Sequence, residues 1–317
     1  MFIEQAFKGK NHNWFYYVAG VVLAFTGWQF IGAVPLIAVL FLKVPDMMSF
    51  PSDIGGMTDL LGANLFLFLM IISFLTGLLA LLFTVKYIHK QPLLALTTSR
   101  KRIDKKRILY GFGLVVAINS ILFVIGYFLS PGDFQWNFKP LPFLILLAIT
   151  IIMLPIQTSF EEYLFRGYLM QGLGVLAKNR WFPLITTSVF FGLLHIFNPE
   201  VKELGYIIMV YYIGTGLLLG VMTLMDDGME LALGYHAGNN MLTALLVTAD
   251  WTALQTDSLF LDISSPEAGF DVLAPVLIYP VVIYILARKY GWTGWKEKLF
   301  GKVEPPLPAE AETEYLK

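Results

Sequence analysis

Apolar runs near the roughly 20-residue length that carries a helix across a bilayer core recur along this chain. They fall at 14–42, 61–84, 108–130, 141–158, 181–197, 206–225, 229–249 and 273–288. Backbone polar groups surrounded by lipid must be satisfied within their own segment, so such runs are predicted to be helices. The expected fold is therefore all-α, a polytopic membrane helix bundle of about eight transmembrane helices. The fifth run is short, and the fourth continues through Pro155 into a polar-studded stretch, which leaves seven as the alternative count. A soluble chain of this size could not hide its apolar surface: 57% of the residues are hydrophobic and 14% charged, against roughly 25% charged in soluble domains.

Charge sorts the loops. With the N-terminus inside, only Lys43, Lys139 and Lys202 of the 22 lysines and arginines lie outside, whereas eight fall in 85–107 and six after Ala287. The outer loops instead collect Asp46, Asp53, Asp59, Asp257, Asp262, Glu267 and Asp271. The positive-inside rule then puts both termini in the cytoplasm. Residues 1–13 read as a polar cytoplasmic N-terminus. Residues 14–302 form the transmembrane domain, with a catalytic core at about 141–250, and the Pro- and Glu-rich 303–317 a disordered tail. The run from Trp14 is too long for a signal-peptide core and lacks a small-residue cleavage site, so it is the first anchor. The basic segment at 100–107 reads first as a solvated loop; beside a span, such a cluster can also grip anionic headgroups. Short loops favour a bacterial inner membrane, with the endoplasmic reticulum as the alternative. A net charge of −1 gives no global pull on nucleic acid. The expected partners are the lipid bilayer and a protein or peptide substrate.

Ionisable groups inside spans are costly and mark functional sites or pair with each other. Here they are few. The segment TSFEEYLFRGYL carries Glu161, Glu162 and Arg166; SVFFGLLHIFN carries His195; GYHAGNNMLTAL carries His236, Asn239 and Asn240. The other two histidines, His12 and His89, lie in flanking loops. Glu162 and Arg166 are helical i,i+4 neighbours with the acid first, the better orientation for an ion pair. Glu161 is turned about 100° away and left available. His236 and Asn240 share a helix face, and the Phe191 ring walls the face of His195.

This set suits addition of water to an acyl carbon. Glu161 can take a proton from a water that His195 also holds, because a carboxylate drawn out of water is a stronger base. His236 and Asn240 can donate to the developing oxyanion. No serine has a histidine partner at fixed spacing, and the chain has no cysteine, so covalent nucleophiles find no support. Two histidines and two glutamates could bind zinc, which in catalytic sites takes three protein ligands and a water. HExxH is absent, and Asn240 is a better amide donor than zinc ligand. Metal-independent chemistry is the preferred reading, with zinc the alternative. Plainer readings stand beside these: Glu162 with Arg166 as a structural pair, Asn239 as a bystander, GTGLLLG at 214–220 as helix packing, and Tyr211 and Tyr212 as packing or lipid-facing residues.

The motifs Glu161-Glu162-x-x-x-Arg166, Phe191-x-x-x-His195 and His236-x-x-x-Asn240 resemble the EExxxR, FxxxH and HxxxN motifs of the CAAX-protease and bacteriocin-processing (CPBP) intramembrane proteases, which include the type II CAAX prenyl endopeptidases. The likeness covers roughly 141–250. It implies an eight-helix fold with a conical cavity open to the membrane and the cytosol, and a lipidated protein or peptide as substrate. It also implies that Glu161 activates water with His195, that His236 and Asn240 form the oxyanion hole, and that Glu162 and Arg166 support them. The family has been described both as metalloproteases and as glutamate proteases, so the resemblance leaves the metal open. A non-catalytic immunity or scaffold protein of the same fold and a proton-coupled transporter are the competing expectations.

By linear counting, His195 lies toward the outer side, His236 toward the inner side, and Glu161 near the end of its span. Their convergence requires a kink, as at Pro155, or a fifth span that starts below the interface.

Overall fold

The computed structural model describes residues 1–44, 46–51, 53–266 and 270–306. Eight helices carry the fold: α1 (Trp14–Lys43), α2 (Ala63–Ile88), α3 (Lys105–Leu129), α4 (Pro140–Ala177), α5 (Trp181–Leu193), α6 (Tyr206–Asp226), α7 (Glu230–Leu246) and α8 (Leu273–Tyr290). Six of them are long and apolar enough to cross a membrane; α5 and α7, at 13 and 17 residues, are shorter. Each of the eight predicted runs is helical over most of its length, although 194–197 form turns and 247–248 a short strand. Side chains point as they do in a lipid-embedded protein. Ile121, Val124 and Phe128 on α3, Ile151 and Ile152 on α4, and Leu277, Val281 and Tyr284 on α8 are exposed, whereas Glu162 and Arg166 are buried.

The fourth helix departs most from its predicted bounds. It runs 38 residues, through Pro155 and a π-helical stretch at Tyr163–Leu169, and so places Glu161 near its middle. Hydropathy ends the span at 158 because polar residues follow; the helix continues because Glu162 pairs with Arg166 and His236 inside the bundle.

One end of the bundle gathers both described ends of the chain. The Phe2 amide donates to Asp227, and the Val303 amide to the Lys178 carbonyl. Phe2 and Ile3 are fully buried, so the N-terminal segment is part of the core. Val303 is buried as well; the rest of the predicted tail, from 307, lies outside the described residues. The basic segment is more than a solvated loop. Arg100 bridges Asp226 and Glu230 at 2.9 and 3.0 Å, and Arg107 also pairs with Asp226, while Lys101, Arg102, Lys105 and Lys106 stay exposed. Above these ion pairs, Met170, Met222, Met225 and Leu231 pack with Phe2 and Ile3 into an apolar core.

The other end is capped by a small sheet of β1 (Phe134–Trp136), β2 (Val247–Thr248) and β3 (Phe260–Asp262), in the order β1-β3-β2. Phe134 faces Asp262 across an antiparallel pair, and Val247 faces Phe260 across a parallel one.

Small residues let the functional helices approach closely. A side chain on Gly234 of α7 would strike the Ile108 carbonyl of α3, and one on Gly111 of α3 would strike the Leu231 carbonyl. Within GTGLLLG, Gly216 lies against the Ser188 backbone of α5 and Gly220 against Leu184, the packing role expected of that stretch.

Candidate active site

The two glutamates of α4 diverge as their 100° offset requires. Glu162 and Arg166, both fully buried, pair at 2.9 Å. Arg166 also donates to the Gly216 carbonyl at 3.1 Å and stacks over the Phe191 ring at 4.3 Å. Glu161 faces a cavity of about 900 Å³, and its Oε2 has no hydrogen-bond partner among the described residues.

The close α3–α7 contact delivers His236 between the two carboxylates. Its Nδ1 lies 2.7 Å from Glu162 Oε1, and its Nε2 lies 3.4 Å from Glu161 Oε2. Since a carboxylate only accepts, Nδ1 carries a hydrogen toward Glu162. When Nε2 is protonated as well, the formal charges of Glu161, Glu162, Arg166 and His236 cancel.

His195 comes from the turn that follows α5. A 13-residue helix rises only about 20 Å, short of the roughly 30 Å hydrocarbon core, so its end stops inside the bundle. That resolves the mismatch in depth. His195 Nδ1 lies 2.8 Å from the Phe191 carbonyl, which only accepts, so in the neutral ring Nε2 is the acceptor. The ring stacks on Tyr212 with centroids 4.4 Å apart, and Phe191 lies 5.0 Å from His195 and 5.8 Å from His236.

Asn240 and His236 have different partners within the protein. Asn240 Nδ2 donates to Gln157 Oε1 at 3.1 Å, and Gln157 Nε2 donates to Glu161 Oε1 at 2.6 Å. Asn239, read from sequence as a bystander, donates to Asn240 and accepts from Asn119. Four amides thus donate in one direction and end on Glu161. An amide nitrogen has two hydrogens, so Asn240 keeps a second donor for the cavity.

Gln157, Asn119, Asn239, Tyr212 and Glu200 are cavity residues that sequence reasoning missed or set aside. Gln157 had a usable signal: it sits i−4 to Glu161 on the same helix face. Glu200 lies on the short helix Pro199–Leu204 after α5, where burial raises its carboxyl above the ordinary range, opposed in part by the Ala253 amide that donates to it.

The profile of the family described as type II CAAX prenyl endopeptidase Rce1-like matches residues 140–242, which span α4 to α7 and hold every residue of the three motifs. The Bacillus subtilis (strain 168) protein YyaK, itself uncharacterized, is 31% identical over 248 residues, covering 76% of this chain and 80% of YyaK. The chain belongs to the Rce1-like family. No solved structure matches it significantly. For an Rce1-like chain zinc was the open alternative, and it needs about three protein ligands. Among the described residues, no three His, Cys, Asp or Glu side chains are grouped to hold a metal ion.

Proposed function

We propose that this integral membrane protein is an intramembrane endopeptidase that hydrolyses a peptide bond of a membrane-associated or lipidated polypeptide with water activated by Glu161. The observation that carries the reading is the pairing of Glu161 Oε2 with His236 Nε2 at 3.4 Å, with both residues and His195 lining one cavity.

In this mechanism a water sits between the Glu161 carboxylate and His195 Nε2. Glu161 takes one of its protons as the oxygen adds to the acyl carbon. The oxyanion forms against the second Nδ2 hydrogen of Asn240 and the Nε2 hydrogen of His236. Glu162, held by Arg166, fixes the His236 ring through Nδ1. The proton on Glu161 then passes to the leaving amine as the tetrahedral carbon collapses. All atoms come from substrate and water, so the step as written needs no metal, and zinc chemistry is the competing reading. A bacterial inner membrane is the proposed location, in keeping with the Bacillus relative and the short loops.

The test is proteomic and biochemical together. N-terminal profiling of host membranes with active protein and with Glu161→Gln would reveal new N-termini only with the former, and the purified protein would cleave peptides spanning them. A Glu161→Gln profile identical to that of the active protein would leave a non-catalytic scaffold as the better reading.

A further inference from the structure

The basic end of the bundle holds cations that its own acids do not neutralise. Arg100 and Arg107 are committed to Asp226 and Glu230, and Asp104 accepts from the Lys106 amide and pairs with Arg107 at 3.3 Å. Lys105 and Lys106, in the first turn of α3, and Arg288 and Lys289, in the last turn of α8, are exposed. Among the described residues none of these four has a carboxylate partner.

Side-chain geometry joins the two pairs into one patch. Helix α3 packs on α7 and α8 on α6, and at this end α3 and α8 meet through aromatic rings. The Lys289 ammonium lies 4.2 Å from the centre of the Tyr110 ring, the Arg107 guanidinium lies 4.1 Å over Tyr290, and the two rings stand edge to face with centroids 5.8 Å apart. Lys106 is one turn before Tyr110 on the same face of α3.

Next to the cations the surface turns apolar. Leu109, one turn after Lys105 on its face of α3, is 70% exposed. On α8, Leu277, Val281, Tyr284 and Arg288 follow at spacings of four, three and four, which is a single helical face, and the first three are exposed. Pro275, Ile278 and Tyr279 on the same helix line the active-site cavity, so the face that ends in Arg288 is a different one, turned to the acyl chains. A soluble anion would use only the charges of this surface, and a neutral lipid only its apolar part. Basic pockets between membrane helices bind anionic headgroups.

We propose that the junction of α3 and α8 is a binding site for an anionic diacyl phospholipid, with its phosphate among Lys105, Lys106, Arg288 and Lys289 and its chains along Leu109, Val281 and Tyr284. None of these residues lines the active-site cavity, so the site stands whether or not that cavity hydrolyses peptides.

Native mass spectrometry of the full chain released from detergent tests this. Phosphatidylglycerol should be retained about tenfold more than phosphatidylcholine of the same acyl length. Lys105→Gln with Lys106→Gln, and separately Arg288→Gln with Lys289→Gln, should each reduce that preference about threefold, and the quadruple variant should abolish it. Lys43→Gln with Lys139→Gln, exposed lysines at the end of α1 and beside the sheet, should keep the parent preference. Inorganic phosphate at the concentration of the lipid should not displace it.

Equal retention of the two lipids by the parent, a tenfold preference that survives in the quadruple variant, or an equal loss in the Lys43 and Lys139 control would overturn the proposal. Displacement by inorganic phosphate would also overturn it, because the apolar face would then contribute nothing. If the quadruple variant does not elute as a monodisperse species, the two double variants decide, and a full tenfold preference in both refutes the site.

Discussion

His236 Nδ1 lies 2.7 Å from Glu162 Oε1, the same oxygen that Arg166 holds at 2.9 Å. One carboxylate oxygen therefore orients the imidazole and neutralises the guanidinium together, which ties the stability of α4 to the geometry of α7. The consequences for substitution differ from residue to residue.

Glu161→Gln removes the base and keeps the shape. Hydrolysis should fall to background, while the melting temperature of the detergent-solubilised protein stays close to that of the parent. Parent-like turnover in this variant would end the assignment of Glu161 as the base.

Arg166→Ala leaves Glu162 buried without its cation and deprives the Gly216 carbonyl of its side-chain donor. Breaking a buried pair from one side costs about 3–5 kcal/mol, so both stability and activity should fall. Thermal melting in detergent reads the first and peptide cleavage the second. An unchanged melting curve would contradict the burial of this pair.

Asn240→Ala removes a candidate oxyanion donor and breaks the amide chain that ends on Glu161. The rate should drop about 10²–10³-fold, as for loss of one oxyanion donor. Gln157→Ala separates the two functions, because it unties Glu161 and leaves Asn240 its donors. A smaller loss is expected there, and the double variant should lose less than the sum of the two singles. Equal losses in both singles would place the whole effect in positioning Glu161.

Elemental analysis of the purified, active protein should find no stoichiometric metal, and chelators should leave the rate unchanged. About one metal per chain, with activity that tracks it, would replace the glutamate mechanism.

Much of this arrangement was legible before any coordinates, for identifiable reasons. The Glu162–Arg166 pair follows from helical periodicity, and the eight helical runs follow from hydropathy. Depth was less legible. Residues 194–197 are mostly apolar and extend the fifth run in sequence, yet they form turns, because hydropathy reports partitioning and not where helical hydrogen bonds stop. The error at the end of α4 has the opposite sign, since Glu161, Glu162 and Arg166 look like a boundary when their partners on α6 and α7 are unseen. Tyr212 reads from sequence as a packing or lipid-facing residue and Asn239 as a bystander because nothing in one-dimensional spacing reveals a neighbour from another helix. The same limit hid the Arg100 and Arg107 ion pairs within the basic segment.

The brevity of α5 also affects the lipid around the protein. Ile185, Phe190, Leu193 and Leu194 are exposed on this helix and its following turn, so acyl chains border a wall about 20 Å tall where the six long helices offer a full-height one. A short hydrophobic wall is accommodated by local thinning of the bilayer, at a cost that grows with each ångström of mismatch. The protein thus carries a compressed annulus on one flank, and its melting temperature in vesicles of defined acyl length should peak at shorter chains than for a bundle whose helices all cross.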